Sequence, residues 1–84
     1  MFDPVKKGDT GTDVYIMQSF LHVLQFTGRD GKPLKIDGKC GDDSEYAINQ
    51  FQEKQRIFGY ECGSNGKNDG IFGRACWYRL GVIE

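Results

Sequence analysis

Hydrolysis of an amide or glycosidic bond needs positioned carboxylates, an activated nucleophile or a metal with an open coordination position. The candidates for such chemistry in this chain are one histidine, His22, three cysteines, Cys40, Cys62 and Cys76, and the acidic pair Asp42-Asp43. His22 sits between Leu21 and Val23 with no carboxylate at helical spacing to orient its ring, which reads as a surface or boundary residue rather than a base. Asp42-Asp43 opens a helix-like stretch, where first-turn carboxylates complement the positive end of the helix dipole. The cysteines are 22 and 14 residues apart with no Cys-x-x-Cys, and the sole histidine is remote in sequence, so a structural zinc site is not expected. Three thiols cannot all pair within one chain; buried or half-buried free thiols are expected, with one disulfide and one leftover thiol as the alternative. The residue types therefore point to a noncatalytic chain with no metal and no cofactor.

The aromatic residues could do different work, since a ring face offers a flat apolar platform for a sugar. Trp77 invites that reading, but its spacing to Leu80 places it on the packed side of a short helix. Tyr78, one residue round from Trp77, is expected near the rim, and Tyr60 falls in a loop.

Three helices must position these groups. Val14, Met17, Leu21 and Leu24 recur at three and four residues, giving a first helix over Asp13 to Leu24 with Thr12 as its N-cap. A second helix begins at the acidic turn Asp42 to Glu45. Ala47, Ile48, Phe51 and then Ile57 or Phe58 are expected to face the core, Gln52 to lie on the polar face, and Gly59 to stop the helix. A third, about Arg74 to Leu80, is too short to stand alone and must pack on the others. Thr27 to Pro33 reads as a loop with Asp30-Gly31 at its tip, a small hairpin at most, and Tyr60 to Asn68 as a second loop.

Asp-Gly-x-x-Gly introduces both later helices, as Asp37-Gly38-Lys39-Cys40-Gly41 and again, 32 residues on, as Asp69-Gly70-Ile71-Phe72-Gly73. At that offset Ser44 falls on Cys76, Tyr46 on Tyr78 and Ile48 on Leu80, so the unit is a repeated loop and helix. Its aspartate can accept loop amides, its first glycine can take a left-handed turn, and its last is expected to spare a clash where the helix starts. Gln18 and Gln52 each follow an apolar residue on a helix and are expected to bond a neighbouring loop backbone.

A chain of 84 residues makes one domain, here spanning 1–84. Its formal charge is −1, with basic and acidic residues interspersed, so no footprint for nucleic acid or an anionic membrane is present. A neutral ligand, or one of both charge signs, suits the surface better. No apolar run approaches the ~18 residues of a membrane helix, and Met1-Phe2-Asp3-Pro4 lacks the basic and apolar regions of a signal peptide. The chain is expected to be either a fragment or a protein that reaches its target without such a signal.

Three blocks carry a resemblance. They are Lys7-Gly8-Asp9-x-Gly11-x-Asp13-Val14-x-x-Met17-Gln18-x-x-Leu21, then Asp37-Gly38-x-x-Gly41-x-x-Ser44-x-x-Ala47-Ile48-x-x-Phe51-Gln52, and Asp69-Gly70-Ile71-Phe72-Gly73-x-x-Cys76-Trp77-x-x-Leu80-Gly81. In that order they resemble the peptidoglycan-binding-like (PGBD-like) superfamily, the small modules attached to bacterial cell-wall hydrolases, endolysins and spore-cortex enzymes. Met17, Ser44, Cys76 and Lys39-Cys40 depart from its usual residues.

The resemblance implies an all-α three-helix bundle with a pseudo-repeat of loop-helix units, and a noncatalytic module that binds peptidoglycan, glycan or stem peptide, and targets a tethered hydrolase to the wall. It implies a monomer acting at the cell wall or another extracellular or periplasmic site. The expected cleft lies between the loop joining helices one and two and the start of helix three. Its expected contacts are Arg29 and Asp30 for charged or amide groups, Tyr60 and Tyr78 for apolar and stacking contact, and Arg74 for a carboxylate. The alternative is a protein-interaction or assembly module that reuses the same fold.

Overall fold

The computed structural model describes residues 3–81, so the N-terminal Met1-Phe2 reading lies outside the described residues. Among them are three helices and no strand: α1, Thr12–Val23; α2, Asp42–Ile57; and α3, Arg74–Arg79. The domain is all-α.

Periodicity sets which face of each helix is buried. On α1, Val14, Met17, Gln18 and Leu21 are buried, and on α2 Ser44, Ala47, Ile48, Phe51 and Gln52, the three-and-four spacing of one helical face. Each buried stripe thus includes one glutamine beside an apolar residue. Gln52 is therefore not on the polar face of α2, as its type suggests, but fully buried. Ile57 and Phe58 are 77% and 63% exposed rather than in the core. The stripe of α2 would continue at Gln55 and Arg56, which are half-buried, so Ile57 falls on the next face round and Phe58 in the cap.

The helix ends follow from backbone chemistry. Gly11, rather than Thr12, is the N-cap of α1, and Gly41 and Gly73 cap α2 and α3, none with a side-chain capping bond. Asp13 on α1 and Asp42, Asp43 and Glu45 on α2 supply first-turn negative charge instead. A β-carbon at Gly41 or Gly73 would meet nothing within 4 Å, so the last glycine of Asp-Gly-x-x-Gly does not avoid a clash. The α2 terminus is a Schellman motif: Gly59 at φ 92° donates to the Arg56 carbonyl at 2.9 Å and Tyr60 to that of Gln55 at 2.9 Å. The end of α1 repeats it without glycine. Gln25, at φ 70°, donates to His22 O at 3.0 Å, and Phe26 to Leu21 O at 2.9 Å.

The core joins α1 and α2 to buried residues of the loops: Val5, Phe26, Leu34, Cys40, Cys62 and Phe72. Phe26, Phe51, Phe72 and Trp77 form a continuous aromatic row with centroid separations of 5.7, 5.3 and 4.9 Å. Trp77 is fully buried and its indole N–H donates to the Asp3 carbonyl at 3.0 Å, so it is core and not a sugar platform. Val5 exchanges two backbone bonds with Phe72, at 3.0 and 2.7 Å, which fastens the N-terminal segment to the turn before α3. The loop expected as a hairpin closes by a single bridge, Thr27 to Pro33.

Candidate functional site

Two buried carboxamides each hold one of the Asp-Gly-x-x-Gly loops. Gln18 Oε1 accepts the amides of Asp37 and Gly38 at 3.0 and 2.8 Å, while its Nε2 lies 3.1 Å from Asp37 Oδ1, 2.9 Å from Lys39 O and 2.9 Å from Ser44 Oγ. Gln52 does the same for the second loop. Its Oε1 accepts Asp69 and Gly70 at 3.1 and 3.2 Å, and its Nε2 faces Asp69 Oδ1 at 2.8 Å and Ile71 O at 2.9 Å. Each aspartate also accepts the amide two residues on, Lys39 and Ile71, both at 3.0 Å. Gly38 and Gly70 take φ of 74° and 70° between these bonds, a left-handed turn that a β-carbon disfavours.

The same bonds set the charge state of the aspartates. The Lys39 amide, then the Gln18 carboxamide, hold the Asp37 carboxyl below its usual value. At Asp69 burial pushes the other way, but bonds from Ser64, Gln52 and Ile71 together carry it below the usual value.

Beside the first of these nodes lies an open cleft of about 660 Å³. Leu34, Gln18 and Ser44 form its inner wall; Arg29, Asp30, Lys35, Asp37, Lys39, Asp42 and Asp43 form its rim. The rim is set by two contacts at the start of α2. Asp43 Oδ1 accepts the Arg29 amide at 3.0 Å, and Gly28 sits so close that a β-carbon there would be 2.9 Å from Asp43 Cγ. Asp42 pairs with Lys7 and, at 3.8 Å, with Arg29. The Lys7 ammonium bonds Asp42, lowering the carboxyl and raising its own value. Asp30 accepts the Lys32 amide at 3.0 Å through Oδ1. Three cations and four carboxylates thus share one rim, with the Arg29 side chain 66% exposed.

Of the five residues expected to bind, Arg29 and Asp30 come together here. The cleft is walled by the start of α2, not by the start of α3. Tyr60 lies beyond the other end of α2, whose 16 residues span roughly 24 Å at ~1.5 Å per residue; there the Arg79 guanidinium stacks 3.5 Å from the Tyr60 ring centroid and donates through Nε to Gln55 Oε1 at 3.2 Å. Tyr78 is 54% exposed on α3, and Arg74 is exposed in its first turn. Lys35, Lys39, Asp42 and Asp43 were not among the expected contacts. Asp42 and Asp43 read locally as dipole charges; only the docking of Gly28 and Arg29 against them reveals a second role.

His22 Nδ1 donates to the Leu34 carbonyl at 2.8 Å, a bond that anchors the loop. Among the described residues no group of three or more His, Cys, Asp or Glu side chains is placed to hold a metal ion, and no helix is long and apolar enough to cross a membrane. Comparison with known proteins gave no match to a family model, a curated protein or a solved structure.

Proposed function

We propose that this chain is a noncatalytic peptidoglycan-binding module of PGBD-like type that brings a tethered hydrolase to the bacterial wall. The observation that carries the reading is the mixed-charge rim of the cleft at the start of α2. A stem peptide bears carboxylates and amines in close alternation, and a rim with Arg29, Lys35 and Lys39 beside Asp30 and Asp43 offers a partner for each. Arg29 suits a carboxylate, because its guanidinium is exposed and its ion pair with Asp42 is long. Asp30 keeps its second carboxylate oxygen for an amine or amide. The three sequence blocks support the family, and the matching bonds of Gln18 and Gln52 are what a pseudo-repeat of loop-helix units would use. Tyr60, Arg74 and Tyr78 do not line the cleft and in this reading add contact only to a ligand that extends beyond it.

Co-sedimentation of the purified domain with intact sacculi tests the reading. Binding that falls with added salt and with Arg29→Ala supports it; a domain that stays in the supernatant at low salt overturns it.

A second reading, a protein-interaction or assembly module, draws on Val23, Leu24, Ile57 and Phe58, which are exposed near the C-terminal ends of α1 and α2. Such a module would leave sacculi untouched and would lose its partner on Ile57→Asp rather than Arg29→Ala.

A further inference from the structure

Cys62 and Cys76 meet beneath the Gln52 carboxamide. Cys76 Sγ donates to the Cys62 carbonyl oxygen at 3.1 Å, which sets the two cysteines side by side. Gln52 Nε2 reaches the same carbonyl at 3.2 Å and Cys76 Sγ at 3.8 Å. Both side chains are buried, one from the segment 59–69 and one from α3. Cys40 belongs to the other node: its amide donates to Asp9 O at 2.9 Å, and its carbonyl accepts Gly8 N at 2.8 Å.

The environments differ in a way that matters for exchange. The neighbouring Cys76 thiol lowers Cys62 against the opposing effect of burial, and Cys62 together with burial raises Cys76. Burial pushes Cys40 up to about 11. Cys62 is thus the thiol most ready to act as thiolate. It is also on the more displaceable side of the pair. Glu61 and residues 64–67 around it are exposed, so its sulfur is reached by lifting one short loop rather than by opening the helices.

We propose that Cys62 and Cys76 are a redox pair that closes to an intramolecular disulfide on meeting a low-molecular-weight disulfide, tying the segment 59–69 to α3, while Cys40 stays a thiol. The Cys62 thiolate attacks one sulfur of glutathione disulfide, its S–S bond breaks, and one glutathione thiolate leaves. Cys76 then attacks the Cys62 sulfur of the mixed disulfide and expels the second glutathione. Both protein thiol protons end on the released glutathiones, and the two electrons lost by the cysteines reduce the glutathione disulfide. The bond replaces the Cys76 S–H donor to Cys62 O, and Gln52 Nε2 continues to serve that carbonyl.

The test equilibrates the full chain in glutathione redox buffers, from reduced and from oxidised starting material, traps free thiols by alkylation, and maps the linkage by peptide mass spectrometry. A Cys62–Cys76 link with Cys40 alkylated, retained in Cys40→Ala and accompanied by a Tm higher by on the order of 10 °C, is expected. Cys62→Ser should give no link. Wild-type mapping decides the matter even where a cysteine variant does not fold. A link through Cys40, a persistent glutathione adduct on Cys62 without closure, or free thiols in excess glutathione disulfide from both starting states would overturn the proposal.

Discussion

Gln52 and Asp69 close a reciprocal ring: Gln52 Nε2 donates to Asp69 Oδ1 at 2.8 Å while its Oε1 accepts the Asp69 backbone amide at 3.1 Å. Because Gln52 is fully buried, its loss cannot be made good by water without opening the core. Gln52→Leu keeps much of the volume but strands the amides of Asp69 and Gly70, while the carbonyls of Cys62 and Ile71 lose one donor and keep the Cys76 thiol and the Gly73 amide respectively. The cost of unsatisfied buried groups makes this about 2–4 kcal/mol, against a total of about 4–12 kcal/mol for a domain of this length. Gln50, two residues away and half-buried, makes its 2.9 Å bond to Thr27 O nearer solvent, so Gln50→Leu should cost about 1 kcal/mol or less. Urea denaturation should show a large midpoint shift for Gln52→Leu, a small one for Gln50→Leu, and an unchanged slope for both.

Gln25 holds a left-handed conformation, φ 70°, at the position where the otherwise matching end of α2 has Gly59 at φ 92°. The strain is on the order of 1–2 kcal/mol, partly offset by the greater freedom glycine gains when unfolded. Gln25→Gly should therefore stabilise the domain by about 0.5–1 kcal/mol and raise Tm by several degrees. Gly59→Gln should lower it by a similar amount. Thermal melts of the two variants check both signs, and a fall in Tm for Gln25→Gly would mean that the glutamine side chain contributes more than its backbone costs.

These two cases show what local sequence encodes and what it does not. The buried stripes of α1 and α2 follow from three-and-four spacing, and the burial of Trp77 and the loop-bonding roles of Gln18 and Gln52 were legible from position on a helix, though the burial of Gln52 was not. Ile57 and Phe58 were misread because hydrophobicity signals a core only where the helix face reaches it, and that face had already passed to Gln55 and Arg56. The candidate site was legible only in part. Arg29 and Asp30 are adjacent in sequence, but their neighbours Asp42 and Asp43 arrive by tertiary docking, and the length of α2 separates Tyr60 from them. No periodicity records either relationship.

Acid should loosen the loops before the helices. Asp37 and Asp69 are held below the ordinary carboxyl value of 3.8 in the folded chain, so the unfolded chain binds more protons as pH falls past that value. Their contribution is therefore fully present above about pH 4 and is lost as pH drops through the lower folded values. Asp69→Asn keeps an oxygen for Ile71 and Gln52 but cannot titrate. It should be less stable than wild type at neutral pH and show a shallower fall in stability below about pH 4, measurable by urea midpoints across an acid series. Equal acid slopes for the two proteins would assign the acid sensitivity to other carboxylates.

Arg29 offers the cleanest separation of binding from stability. Its side chain is largely exposed and its ion pair with Asp42, at 3.8 Å, is long, so Arg29→Ala should change stability by no more than about 0.5 kcal/mol. If the guanidinium meets a ligand carboxylate, the same change should weaken binding to sacculi about tenfold, equivalent to ~1.4 kcal/mol. Arg29→Lys should recover only part of the loss, because an ammonium cannot form the paired bonds of a guanidinium. Asp30→Asn, which can still accept the Lys32 amide, tests the opposite charge on the same rim. Binding isotherms on sacculi at two salt concentrations distinguish a specific contact from general attraction. Arg29→Ala should lower affinity at both, whereas a purely long-range effect would vanish once salt screens it beyond ~10 Å.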